Sequence, residues 1–225
     1  GANIDLGTGD FTLEFWVNSN EDTQNRFIMG RWNATPNTAS YASREFGITM
    51  SGYDSYGFVT YSPSFYANYG TSTTCDGKWH HIALVRSGGD AKGYVDGKYI
   101  FDATYLDSAD LSFSSKMLIG AGQTTYWEGA MYDFRISDTA RYTSGTSDFD
   151  VPTEKFTSDS DTLLLIQPDK DDTTFHDESS SPATVTTVSS PTRTASTPYD
   201  AAAKSTAMYF DGTSDNLVVT SDSSF

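Results

Sequence analysis

Short segments in which apolar and polar residues alternate, separated by turn residues, fill most of this chain and restrict the folds open to it. In FTLEFWV the apolar residues Phe11, Leu13, Phe15 and Val17 fall on every second position. A period of two places such side chains on one face of a β-strand. Segments of this kind recur at short intervals, with Gly, Asn, Asp, Ser and Pro between them. The spacing predicts an all-β chain that folds as an antiparallel β-sandwich.

Two further segments show the pattern clearly. In KGYVDGKYIF, Asp96-Gly97 lies between two apolar runs, which predicts a hairpin because Gly and Asp tolerate the positive φ angles of a type I′ turn. In AMYDFRIS, strict alternation predicts that Tyr132, Phe134 and Ile136 share one face of a strand. The opposite face is then predicted to carry Met131, Asp133 and Arg135.

Composition and charge exclude several classes of function. Of the 225 residues, 37% are hydrophobic, which is enough for a substantial core. A formal net charge of −16 makes nucleic acid and anionic membrane surfaces poor partners. Membrane insertion is not expected, because no apolar run has the length needed to cross a bilayer. Cys75 is the single cysteine, so the fold is held without an intrachain disulfide.

The composition divides the chain into three parts. Residues 1–167 carry most of the predicted strands and form the main body. Residues 168–204 are rich in Ser, Thr, Pro and Asp, which predicts a largely extended, partly ordered connection. Residues 205–225 contain STAMYFDGTSDNLVV, which predicts two strands joined by a turn.

Five blocks of sequence carry a family resemblance: GTGDFTLEFWVN, DGKWHHIALVRSGGDAKGYVDGKYI, MLIGAG, WEGAMYDFRIS and YFDGTSDNLVV. Together they resemble the laminin-G-like, concanavalin-A-like jelly-roll superfamily, especially modules of bacterial surface proteins and phage virion proteins. The resemblance implies a jelly-roll sandwich. It also implies that the C-terminal hairpin corresponds to a module's first hairpin, so that the chain is written out of phase.

The C-terminal hairpin must be used by some sandwich. Met208, Phe210, Leu217 and Val219 are its predicted inward positions. Burying four such side chains contributes about 6–12 kcal/mol, comparable to the whole stability of a domain, about 5–15 kcal/mol. The hairpin completes its own sandwich as a circular permutant, the next module of a tandem array, or a separate neighbouring subunit. We expect one of the two serial arrangements, which lead to head-to-tail self-association and a fibre.

The turn of this hairpin is a candidate Ca²⁺ site. Asp211, Asp215 and Asn216, together with the carbonyl at Gly212, offer the hard oxygen ligands that Ca²⁺ prefers. The family resemblance implies a Ca²⁺ where the first and last strands meet, with Asp133 as the matching last-strand carboxylate. The alternative is that Asp in an Asp-Gly turn serves backbone hydrogen bonding alone.

Catalysis is not expected. Retaining glycosidases place two carboxylates across the scissile bond, whereas Glu14, Glu45 and Glu128 stand singly in their strands.

Carbohydrate binding is the main rival to a structural role. Aromatic faces stack on sugar rings while Asp and Asn bind hydroxyl groups. Aromatic and polar residues of this kind concentrate between Ser51 and Gly70. The candidate sugar-binding residues are Trp32, Tyr53, Asp54, Tyr56, Tyr66, Asn68 and Trp127. The alternative is that Tyr is simply a favoured strand residue.

Two functional hypotheses follow. The first is a non-catalytic structural module, extracellular, on a cell surface or in a virion, that assembles by giving its C-terminal strands to a neighbour. The second is a Ca²⁺-dependent, lectin-like adhesion module that binds glycans as a circularly permuted monomer.

Asn33 lies in a single N-glycosylation sequon, Asn33-Ala34-Thr35.

Overall fold

β-Strands account for nearly all the regular structure. The computed structural model describes residues 4–21, 26–32, 44–51, 55–60, 66–71, 73–112, 116–122, 125–142, 148–168, 174–195, 197–199 and 206–220. These residues contain fifteen strands and a short 3₁₀ turn, Thr104–Leu106. None of the helical structure within these ranges is long and apolar enough to span a bilayer. The strands are β1 Phe11–Asn18, β2 Arg26–Trp32, β3 Arg44–Ser51, β4 Ser55–Thr60, β5 Tyr66–Thr71, β6 His80–Ser87, β7 Asp90–Val95, β8 Lys98–Asp102, β9 Lys116–Ile119, β10 Glu128–Ser137, β11 Thr162–Ile166, β12 Thr184–Val188, β13 Thr192–Thr194, β14 Ala207–Asp211 and β15 Asn216–Thr220.

The strands form two antiparallel sheets. The first sheet has the order β13-β14-β10-β1-β6-β7-β8, with β11 also paired to β10. The second sheet has the order β12-β15-β9-β2-β3-β4-β5. Apolar side chains from both sheets form one large core cluster, so the predicted antiparallel sandwich is confirmed.

The strand β1 shows the predicted alternation. Phe11, Leu13, Phe15 and Val17 are at most 1% exposed and lie in the core between the sheets. The intervening residues point to the opposite side of the first sheet, which we term the outer face. Trp16 lies there in a second apolar cluster, because the segments after β10 cover part of this face.

The strand β10 departs from strict alternation. Glu14 of β1 pairs with Arg135, whereas Trp16 pairs with Tyr132, so two residues of β10 lie opposite one residue of β1. This is a β-bulge, and Asp133 within it has a φ of +51°. The bulge shifts the phase, so Met131 joins Phe134 and Ile136 in the core while Tyr132 lies on the outer face. The predicted assignment of Met131 and Tyr132 was therefore wrong.

The C-terminal hairpin lies in the chain's own sheets. β14 pairs with β10 and β13 in the first sheet, and β15 pairs with β9 and β12 in the second. Its four predicted inward residues are confirmed as buried, each at most 2% exposed: Met208, Phe210, Leu217 and Val219. Of the three arrangements considered, the structure contains the circular permutant. Donation of these strands to a neighbouring sandwich stays a prediction.

The connection before the hairpin is more ordered than its composition suggests. Two short strands, β12 and β13, lie in it and form outer strands of the two sheets. Asp177 is buried and joins the loop before β12 to β11. Its carboxylate accepts hydrogen bonds from the N–H groups of Leu165, Ser179 and Ala183 at 2.8–2.9 Å. The connection thus holds the C-terminal hairpin against the body.

Candidate functional site

The carboxylates of the C-terminal turn are engaged with the turn itself. Asp211 accepts hydrogen bonds from the N–H and hydroxyl of Thr213 at 2.9 and 2.7 Å, which lower its pKa. Asp215 is buried and accepts from the N–H groups of Ser190 and Asp211 at 2.9 and 3.3 Å. The amide of Asn216 donates to the Ser214 carbonyl. These contacts match the alternative in which Asp serves the turn.

Asp133 lies apart from that turn. The residue opposite Asp211 is Glu128, and Asp133 lies five positions further along β10, or about 16 Å at the rise of a strand. The implied grouping of Asp133 with Asp211, Gly212, Asp215 and Asn216 was wrong. Among the residues that the structure describes, no three His, Cys, Asp or Glu side chains are grouped to hold a metal ion. A calcium site at the turn stays a prediction.

The hydrogen bonds of Asp133 serve packing on the outer face. Its buried carboxylate accepts from the Tyr199 hydroxyl at 2.8 Å, from the Phe156 N–H at 3.1 Å and from the Gln167 side-chain amide. Burial raises the pKa of Asp133 to about 6, because it outweighs the three hydrogen bonds and the charge of Lys155, which lower the pKa. The carboxylate therefore anchors three covering segments to β10.

The predicted sugar-binding aromatics are not assembled on the surface. Tyr56 is 2% exposed and Trp127 is fully buried, both within the core cluster. These two predictions were wrong, because a ring buried in the core cannot stack on a ligand. Tyr53, Asp54 and the sequon residue Asn33 lie outside the described residues. Only the backbones of three others are described, within strands: Trp32, Tyr66 and Asn68.

A cleft on the outer face offers a different candidate site. One row of paired residues crosses the first sheet: Asn18 lies opposite Ala130, Ala130 opposite Tyr209, and Tyr209 opposite Thr192. A cleft with a volume of about 310 Å³ lies along this row. We name this feature the Tyr209 cleft. Its lining consists of residues 18–21, 128–130, Thr194 and Tyr209.

The side chains of the Tyr209 cleft combine one ring with polar groups. Tyr209 is 39% exposed, and Tyr105 is the other large aromatic residue exposed to this degree in the described part of the chain. Asn18, Asn20, Glu21 and Glu128 line the same space, and the Asn18 amide also donates to the Gly77 carbonyl at 3.0 Å. An aromatic face beside several hydrogen-bonding groups is the usual composition of a sugar-binding site.

Small residues keep the floor of the cleft open. Gly129 has a φ of +144°, and a Cβ atom there would lie 2.5 Å from the Asn18 carbonyl oxygen. Ala130 follows it and contributes a methyl group. The hydroxyl of Ser19 donates to the Glu128 carbonyl at 2.7 Å and joins the two walls. A larger side chain at Gly129 is therefore excluded by the backbone of β1.

Arg26 holds the two sides of the cleft together. Its guanidinium binds the Glu128 carboxylate at 2.9 Å and lies 3.8 Å from that of Glu21. It also donates to the carbonyl oxygens of Tyr126 at 2.8 Å and Gly212 at 3.2 Å. Gly212 belongs to the C-terminal turn, so this buried side chain links β2, β10 and the hairpin that carries Tyr209.

A buried ionic cluster lies elsewhere on the outer face. Glu14 binds Arg135 at 2.6 Å, His81 at 3.1 Å and the Tyr142 hydroxyl at 2.7 Å. Burial raises the pKa of Glu14, but the hydrogen bond and charge of His81 and the charge of Arg135 outweigh it and lower the pKa overall. Because Glu14 and His81 are both 0% exposed, a substrate cannot reach them, and the cluster is structural.

Comparison with known sequences identifies the family. Residues 2–144 match the sequence profile of a laminin G family described as the concanavalin A-like lectin/glucanases superfamily. The chain belongs to this superfamily. The matched residues include β1 to β10, and the resemblance inferred from sequence blocks is confirmed. Comparison with curated proteins gave no match.

Several solved structures resemble the chain at low identity. Domains LG4-5 of the mouse laminin alpha1 chain match with 15% identity and a TM-score of 0.43, over 64% of this chain and 42% of that one. A heptameric SAP-like pentraxin from Limulus polyphemus matches with 16% identity and a TM-score of 0.46, over 60% and 67%. Domain 4 of an extracellular arabinanase from Geobacillus stearothermophilus, in complex with arabinotriose, matches with 18% identity and a TM-score of 0.42, over 62% and 65%. This chain spans less than half the length of the laminin structure.

Proposed function

We propose that this chain is a non-catalytic carbohydrate-binding module and that the Tyr209 cleft is its binding site. The observation that carries the proposal is a cleft of about 310 Å³ in which the exposed ring of Tyr209 lies beside amide and carboxylate groups. Membership of a superfamily whose description includes lectins supports it. We place the module outside the cell, where the glycans recognised by lectin-like modules are displayed.

The Tyr209→Ala variant tests this function. Loss of the ring removes stacking worth about 0.5–1.5 kcal/mol together with its apolar contact area, so we expect glycan affinity to fall about tenfold or more. Binding of the full chain to a glycan array, followed by titration calorimetry on the best ligand, measures the change. Thermal melting of each variant shows that folding is retained.

Tyr105→Ala is the matched control. Tyr105 is 45% exposed, close to the value for Tyr209, but it lies in the 3₁₀ turn, outside the residues that line the cleft. We expect this variant to bind glycans with wild-type affinity. Absence of glycan binding by the wild-type chain, or equal losses in the two variants, would overturn the proposal. A parallel titration with EDTA tests the predicted calcium requirement.

Assembly into a fibre has less support as a function. The C-terminal strands already fill positions in the chain's own two sheets. Donation to a neighbour requires those strands to leave their sheets and exchange with an equivalent pair. Head-to-tail association therefore stays a prediction, and the state of the chain in solution decides it.

A further inference from the structure

The lining of the Tyr209 cleft carries charge of one sign. Among the described residues that line it, two are acids, Glu21 and Glu128, and none is Lys, Arg or His. Asp211 lies directly opposite Glu128 across the β10–β14 pair and adds a third carboxylate near the rim. The net charge of the whole chain, −16, has the same sign.

Arg26, which contacts both lining acids, does not reverse this field. Arg26 is buried, with a side chain that is 7% exposed, and it does not line the cleft. Its terminal nitrogens already donate to Glu128, to the Tyr126 carbonyl and to the Gly212 carbonyl. The guanidinium also lies 3.8 Å from the Glu21 carboxylate, so one positive charge is shared by two carboxylates and the three groups together remain negative. The Glu128 side chain remains 39% exposed beside it.

These groups determine which ligands can enter. A carboxylate accepts hydrogen bonds and cannot donate them, so the charged part of the cleft requires a donor on the ligand. A ligand that bears its own carboxylate or sulfate meets repulsion at that position, because like charges in a partly dry cleft are weakly screened. A protonated amine meets both a donor requirement and a favourable field.

We propose that the Tyr209 cleft selects glycans that carry a free amine and excludes acidic glycans. The inference rests on the proposed carbohydrate-binding function and specifies its ligand class. Tyr209 stacks on one sugar ring, while the ammonium group of that ring or the next one lies against the Glu21 and Glu128 carboxylates. Neutral glycans of the same backbone bind through the ring and the amides alone.

A matched set of oligosaccharides tests this selectivity. The full chain is titrated by calorimetry at pH 5, where the amine of an amino sugar is largely protonated, with a glucosamine tetramer, its N-acetylated counterpart and an oligogalacturonate. We expect the glucosamine tetramer to bind at least fivefold more tightly than the N-acetylated tetramer at low salt. The preference should shrink when the ionic strength rises tenfold. The oligogalacturonate should not bind.

Charge-removing variants locate the effect. Glu21→Gln should reduce the amine preference, which is the ratio of the two affinities, to less than twofold. Glu154→Gln removes one exposed carboxylate outside the cleft and should leave the preference intact. Binding of the oligogalacturonate, or an amine preference unaffected by Glu21→Gln, would overturn this inference. Neutral binding without any amine preference overturns the inference alone, whereas no binding by the three sugars or by any glycan of the array overturns the proposed function as well.

Discussion

Asp133 couples a single protonation to the stability of the fold. Its folded-state pKa is raised to about 6 by burial, whereas an unfolded Asp titrates near 3.8. The native state therefore binds the proton more tightly, so the contribution of this group to stability falls as the pH rises from about 4 to 6. The full effect of the shift is about 3 kcal/mol.

We expect the Asp133→Asn variant to remove this pH dependence. Asn tolerates the positive φ of the bulge and can still accept hydrogen bonds, so the fold should be kept. Urea unfolding at pH 4, 5, 6 and 7 measures the difference in free energy of unfolding between wild type and variant. That difference should shift by up to about 3 kcal/mol in favour of the variant across this range. A constant difference would show that Asp133 is ionised in the folded state at pH 4.

Asp159→Asn provides a control of the opposite kind. The hydrogen bond from Arg141 lowers the pKa of Asp159, so its stabilising contribution is lost only as the pH falls below the ordinary range of an Asp. Between pH 5 and 7 Asp159 is ionised in both states. The difference between wild type and Asp159→Asn should therefore stay level over that interval.

The roles of individual residues were only partly predictable from the sequence. Met208 and Phe210 were placed correctly because strand alternation has one simple solution in β14. Tyr56 and Trp127 were misplaced because large aromatic rings fill cores as readily as they line ligand sites. Tyr209 was not among the predicted binding residues, although its position between the inward residues Met208 and Phe210 already indicated an outward side chain.

The β14 strand has one face in the core and the other at the cleft. The Phe210 ring is buried against Gly120, where a Cβ atom would lie 2.4 Å from the ring. We expect Phe210→Ala to lower the free energy of unfolding by about 3–5 kcal/mol, since it leaves a cavity in the core. Tyr209→Ala, one position earlier on the exposed face, should lower it by less than about 1 kcal/mol.

Chemical denaturation of the two variants measures this contrast. Equal and small effects would mean that β14 is not packed into the sandwich in solution. The result is independent of ligand binding, so it tests the position of the hairpin separately from the function of the cleft.

Some elements were easier to predict than others. The strand β1 has clear alternation and forms as expected. The strands β7 and β8 flank the Asp96-Gly97 turn and form the expected hairpin. The strands β12 and β13 were hidden in a Ser, Thr and Pro-rich segment because outer strands need few apolar residues. The phase shift in β10 was invisible, since a bulge at Asp133 changes the backbone without changing the pattern of residue types.

At the scale of the whole molecule, the sandwich is complete only with its C-terminal hairpin. We expect the full chain to be a monomer at micromolar concentration and removal of residues 206–225 to produce an unfolded or aggregating protein. Without β14 and β15, the edges of β9 and β10 lose their partners and the core loses four buried side chains. Light scattering and circular dichroism of both forms measure these outcomes. Filaments formed by the intact chain would instead support exchange of hairpins between subunits.

The architecture as a whole was the most predictable level. Alternation and sequence blocks together indicated a concanavalin A-like sandwich, and the family match confirms it. Whether the hairpin completes its own sheets could not be decided from sequence, because the same apolar positions suit either partner. The contacts of Arg26 with Gly212 are the kind of long-range link that no local pattern reveals.

The Tyr209 cleft is a composite of two segments that are far apart in the chain. Asn18, Glu21 and Glu128 belong to the first 144 residues, which match the superfamily, whereas Tyr209 arrives with the hairpin beyond them. A bound glycan would thus act as a clamp on hairpin docking, adding about 2.7 kcal/mol of stability at a hundredfold excess over Kd. If two molecules exchanged hairpins, the Tyr209 ring of each molecule would lie in the cleft of the other. Every binding site in that dimer would then contain residues of two chains, and sugar binding would depend on dimer formation.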